Sequence, residues 1–102
     1  MTLDIPPRPR GVWTAVLTPV GADRIIVAPL LVAHCRSLLE RGCDGIALFG
    51  TTGEGQSFSV AERMAALEAL LGAGIPAERI IVGVGAAALP DAVALTRHAR
   101  AR

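Results

Sequence analysis

The segment Gly50-Thr51-Thr52-Gly53-Glu54-Gly55 concentrates most of the chemistry in the chain. Two adjacent hydroxyls and one carboxylate stand among three glycines, each of which permits backbone angles that a side chain opposes. A loop of this kind brings backbone N–H groups and hydroxyls close to something small. Such donors suit an anionic oxygen, as on a carboxylate or a phosphate. The same residues also suit a tight turn whose threonines bond local backbone, and composition alone leaves both readings open. Glu54 beside an anion would repel it, so a structural role is expected of Glu54, accepting hydrogen bonds within the loop.

Other reactive groups are sparse. No H-x-x-x-H or comparable spacing surrounds His34 or His98, so both are expected as surface or core histidines and no metal site is expected. Cys35 and Cys43 form no C-x-x-C pair and are expected as free thiols in a reducing cytoplasm. Gly83-Val84-Gly85-Ala86-Ala87-Ala88 approaches a glycine-rich nucleotide loop, but position 88 is alanine and the segment follows a third strand rather than a first. Close backbone packing at a strand end is the expected reason for its glycines, and packing within the first strand is expected of Trp13. All ten basic residues are arginine, and neither lysine nor tyrosine occurs. Chemistry that needs an amine or a phenol must draw it from elsewhere.

These groups need a scaffold. Apolar residues make up 52% of the 102 residues and the formal net charge is +1. That balance fits one small packed domain and gives no electrostatic basis for nucleic acid or an anionic membrane as partner. No apolar run approaches the roughly 18 residues of a spanning helix. The opening MTLDIPPRPRG contains no secretory h-region, so a cytoplasmic location is expected.

Residues 1–10, with Pro6, Pro7 and Pro9, read as an extended arm. Residues 11–102 read as a β-α-β-α-β-α run. Val12–Leu17, Gly45–Phe49 and Arg79–Val84 are near-continuous apolar stretches, the pattern of strands in a covered parallel sheet. The first helix begins near Pro29, presents Leu31, Cys35, Leu38 and Leu39 on one face, and stops at Gly42. The second starts at a capping box formed by Ser59 and Glu62, with Met64, Leu67 and Leu71 as its expected buried stripe. Gly72, Gly74 and Pro76 end it. The third begins at Pro90 and Asp91, carries Ala92, Leu95 and Ala99 on one side, and has no stop signal.

Right-handed crossovers between strands laid down in order place the helices on one face. The expected class is therefore α/β: the first three β/α units of a (β/α)8 TIM barrel, parallel strands with helices outside. A whole barrel takes roughly 250 residues, so the repeat is expected to be still in progress at Arg102. In such a sheet Gly50–Gly55 lies at the carboxyl end of a strand, where sites collect.

The order Val16-Leu17-Thr18-Pro19, then Gly50-Thr51-Thr52-Gly53-Glu54, then Val82-Gly83-Val84-Gly85 resembles the dihydrodipicolinate synthase/N-acetylneuraminate lyase family. The resemblance covers nearly all of the chain from Gly11 onward. It implies a class I aldolase, a lyase or synthase that forms or cleaves a carbon–carbon bond through a Schiff base with pyruvate or another 2-oxo acid. The lysine that forms this Schiff base lies on the sixth strand in the family, and no separate cofactor is implied. By resemblance, Thr52, Gly50 and nearby amides hold the carboxylate of the 2-oxo acid. Thr51 shares in that and in a proton relay with tyrosines, and Ala15 lines the pocket floor. A homo-oligomer, tetramer or dimer, is implied for the intact protein.

The departures from the family are informative. Its lysine-feedback synthases carry histidines in the helix after the loop and an asparagine after the G-x-G strand. Here those positions read Val60, Arg63 and Ala87, which argues against feedback by lysine. Thr-Thr in place of Ser-Thr leans away from sialic acid lyase. On this reading the segment supplies part of the carboxylate pocket and lacks the Schiff-base lysine and the relay tyrosines. The alternative is a small non-catalytic α/β module that binds an anion at Gly50–Gly55.

Overall fold

The computed structural model describes residues 11–102; the extended arm expected over residues 1–10 lies outside them. Strands β1 (Trp13–Ala15), β2 (Gly45–Leu48) and β3 (Ile80–Val82) alternate with helices α1 (Ala28–Glu40), α2 (Val60–Gly72) and α3 (Leu89–Arg100). The sheet order is β1-β2-β3 and both pairings are parallel. Ala15 pairs with Ala47, which pairs with Ile81, and Leu48 pairs with Val82. This is the α/β class expected, three β/α units of a barrel-like sheet with helices packed on it.

Local signals fix where the helices begin and end. Ser59 Oγ accepts from the Glu62 N–H at 3.1 Å, and the Glu62 carboxylate accepts from the Ser59 N–H at 3.0 Å. Two otherwise orphaned donors are thereby satisfied, and α2 starts where the sequence placed it. At the other end of α1, Gly42 adopts φ 104°, and the N–H groups of Gly42 and Cys43 reach back to the carbonyls of Leu39 and Leu38. Gly74, with φ 91°, repeats this Schellman arrangement for α2 with Ile75 bonded to Leu70.

The core lies between the sheet and the helices. Val16, Ile46 and Leu48 from the sheet meet Leu31 and Cys35 from α1 and Ala66, Leu67 and Leu70 from α2. Each fully buried aliphatic side chain of this kind contributes about 1.5–3 kcal/mol relative to exposure. The third helix adds Leu95, 4% exposed. It is tied to α2 by Glu68, which meets both His98 and Arg102. The opposite sheet face is uncovered, with Ala15 exposed and Ile81 42% exposed.

Three details differ from the sequence reading. Strand β1 covers only Trp13–Ala15, although the Val16 N–H still donates to the Ala47 carbonyl at 3.0 Å. Beyond it the chain turns so that Thr18 can bond the second loop. Arg79 belongs to the short turn before β3, where its guanidinium donates to the carbonyls of Cys43 and Asp44. The buried stripe of α2 is Arg63, Ala66, Leu67 and Leu70, whereas Met64 and Leu71 are half-buried. Arg63 belongs to that stripe because its guanidinium bonds two loop carbonyls in the interior.

Candidate functional site

The second strand ends in an unusual residue. Phe49 is 3% exposed and has φ 58°, a left-handed conformation that a bulky side chain adopts only under constraint. Its carbonyl sits where two glycines leave room for it. A Cβ on Gly55 or on Gly83 would stand 2.3 Å from the Phe49 oxygen, so only glycine fits at either position. The Phe49 ring packs against Phe58, with ring centroids 5.9 Å apart. This reversal carries the chain out of the sheet and into Gly50 and Thr51.

The loop that follows is held by its own backbone and by the first strand's exit. The Glu54 N–H donates to the Thr51 carbonyl at 3.1 Å, and the Gly55 N–H donates to the Gly50 carbonyl at 3.2 Å. Thr18 Oγ donates to the Gly53 carbonyl at 2.6 Å, so the Thr-Pro turn after β1 braces the loop after β2. A Cβ on Gly53 would lie 2.7 Å from the Val16 carbonyl oxygen, which fixes how closely the two exits approach. Among the described residues, the N–H groups of Gly50, Thr51, Thr52 and Gly53 donate to no backbone carbonyl. The hydroxyls of Thr51 and Thr52 likewise have no partner there, and both residues are exposed. Unpaired N–H and hydroxyl donors at a strand's carboxyl end are the kind of group that binds anions, although Gly53 is itself buried.

A cleft of about 340 Å³ opens beside this loop. It is lined by Phe49, Gly50 and Thr51, by residues 54–57, and by Gly83 and Gly85 from the exit of β3. That volume lies at the lower end of the roughly 300–1,000 Å³ usual for small-molecule sites. Gly50 and Thr51 line the cleft together. Thr52 and Ala15 do not line it; Thr52 is exposed in the same loop, and Ala15 is exposed at the end of β1 on the uncovered sheet face.

Glu54 departs from expectation. Its backbone N–H and carbonyl both bond within the loop, to Thr51 and Ser57, but among the described residues its carboxylate has no partner. Its backbone is left-handed, φ 52°, and the residue is exposed and lines the cleft. The close packing expected of the β3 exit is present at Gly83, whose N–H donates to the Leu48 carbonyl at 2.7 Å.

Arg63 was not expected in the interior. It is 3% exposed; Nη2 donates to the Gly83 carbonyl at 2.6 Å and Nη1 to the Gly85 carbonyl at 2.7 Å. Its guanidinium carbon stands 5.6 Å from the centre of the Phe49 ring. Burial pushes its pKa down from the ordinary arginine value. The signal in the sequence was the complete spacing 63, 66, 67, 70, which is one helical face if an arginine is admitted to it.

Comparison with known proteins bears on the family and the fold. Residues 8–102 match the model of the Dihydrodipicolinate synthetase family. An uncharacterized DapA-like lyase of Chloroflexus aurantiacus is 43% identical over 99 residues, covering 89% of this chain and 30% of its own length. Dihydrodipicolinate synthase from Agrobacterium tumefaciens superimposes with a TM-score of 0.82 at 37% identity, over 88% of this chain and 32% of that one. A variant of 2-keto-3-deoxygluconate aldolase from Sulfolobus solfataricus, solved with pyruvate, gives 0.72 at 31% identity, over 83% of this chain and 28% of that one. The chain thus spans about a third of the length of the proteins it matches. With the family match running through all three β/α units, the chain belongs to the dihydrodipicolinate synthetase family.

Proposed function

We propose that this segment, within the whole polypeptide, holds the carboxylate of pyruvate or a similar 2-oxo acid while a lysine from outside these residues condenses with the ketone. The carrying observation is that Thr51 and Thr52 are exposed at the exit of β2 and that, among the described residues, their hydroxyls and the N–H groups of Gly50, Thr51, Thr52 and Gly53 have no partner. The pyruvate complex of a related aldolase supports the choice of ligand.

The mechanism needs two things of these residues. The first is position. Fixing the carboxylate holds the keto carbon in one place, which converts an encounter with the amine into a near-unimolecular attack. The amine adds to that carbon, and water leaves with the former keto oxygen. The resulting iminium accepts electrons from the adjacent carbon–carbon or carbon–hydrogen bond. The second is neutrality. Hydroxyls and amides bind the carboxylate without placing a cation beside the amine, where it would disturb the amine's pKa. Thr51 is placed in the cleft wall and is assigned a share in passing the proton that accompanies loss of water. Ala15, small and exposed on the uncovered sheet face, leaves room for the ligand where further strands complete the barrel.

Borohydride reduction in the presence of pyruvate tests this reading. The expected product is a single reduced pyruvyl adduct on a lysine outside residues 1–102, and an intact polypeptide that forms no adduct contradicts it.

A further inference from the structure

The β2 and β3 exits are joined by one side chain. Arg63 lies four residues past the Ser59 cap, and its own N–H makes a first helical bond to the Ser59 carbonyl at 3.0 Å. The capping box and this bond hold the Arg63 backbone in the first turn of α2 independently of its side-chain contacts. From there the guanidinium reaches across to Gly83 and Gly85, one nitrogen to each carbonyl. A planar fork serves two acceptors at once; an ammonium is a point donor and does not reproduce this.

The environment is costly for a charge. Arg63 is 3% exposed, has no acidic partner among the described residues, and its Nε is buried without a hydrogen bond. Two carbonyl dipoles and the face of Phe49 compensate for lost water. A buried cation retained under those conditions holds its acceptors firmly, because releasing either leaves it further undersolvated.

Phe49 connects this clamp to the cleft. Its left-handed backbone is disfavoured by roughly 1–2 kcal/mol for a non-glycine residue, and it is accommodated because Gly55 and Gly83, lacking a Cβ, leave room for its carbonyl while Arg63 lies over its ring. Gly50 and Thr51 follow it directly. We propose that Arg63 is a positioning residue that locks the β3 exit against Phe49 and thereby sets where Gly50 and Thr51 stand. Its consequence for substrate rests on the 2-oxo acid reading above; the clamp itself does not.

The test uses the whole polypeptide with Arg63→Lys and, as a second variant, Arg63→Met. Amide hydrogen exchange is followed at Glu54, Gly55 and Gly83, whose N–H groups are bonded in the two exits, with Val16 as a reference. Pyruvate saturation is measured alongside. In Arg63→Lys, exchange at these three amides rises about tenfold relative to Val16, the order expected for one lost charge-assisted hydrogen bond. The half-saturating pyruvate concentration rises about tenfold, while turnover at saturation stays within about twofold. Arg63→Met shows the larger exchange effect. Unchanged exchange at Glu54 and Gly55 in both variants overturns the clamp. A fall in turnover with unchanged half-saturation overturns its positioning role. If the parent protein forms no adduct with pyruvate, the 2-oxo acid reading fails, and the exchange comparison still decides whether Arg63 joins the exits.

Discussion

The carbonyl oxygen of Phe49 would lie 2.3 Å from a Cβ on Gly83, with the Phe49 carbonyl carbon at 2.8 Å and the Gly50 nitrogen at 3.2 Å. All three neighbours are backbone, so no side chain can swing away to relieve the contact. Gly83→Ala is expected to destabilise the protein by about 1–3 kcal/mol through overpacking. Gly72→Ala, at a helical position with nothing within 4 Å, is expected to stabilise it by about 0.4–1 kcal/mol by reducing unfolded-state entropy. Urea unfolding of the two variants checks the opposite signs, and equal shifts would refute the contact.

The elements were legible in the sequence where one residue type fixes one geometry. Ser59 with Glu62 and the glycines at 42 and 74 state helix ends through chemistry that is local. Leu31 and Cys35 state a buried face through spacing. What was not legible depends on partners distant in sequence. Arg63 is interior only because Gly83 and Gly85, some 20 residues on, offer carbonyls to it. Phe49 can be left-handed because Gly55 and, far along the chain, Gly83 leave room for its carbonyl. The loop's two threonines could be read as donors, but whether they capped the turn or stood unpaired depends on the loop's three-dimensional path, which is braced in part from Thr18, far back in the sequence.

The Ser59 cap gives a second expectation. Ser59→Ala removes the acceptor of the Glu62 N–H and should cost about 1 kcal/mol, whereas Ser59→Asp, which restores an acceptor, should stay within a few tenths. Thermal unfolding of both variants distinguishes this from a general surface effect.

Cys35 gives a pH dependence. Burial raises its thiol pKa from 9.0 to about 11. Between those values the unfolded chain releases the proton and the folded chain keeps it, so the unfolded state binds fewer protons. Stability therefore falls as pH rises from 9.0 to about 11. Cys35→Ala should flatten that part of the profile. Urea midpoints of the parent and variant across this range supply the check, and parallel profiles would exclude the thiol as the cause.

The anion-binding role of the β2 exit is tested most directly by borohydride trapping as a function of pyruvate concentration in Thr51→Val, Thr52→Val and the double variant. The expected result is the same modified lysine in every case, with half-saturating pyruvate raised about tenfold for each lost hydroxyl bond to the carboxylate. Half-saturation indistinguishable from the parent in the double variant would contradict the assignment of the carboxylate to this loop.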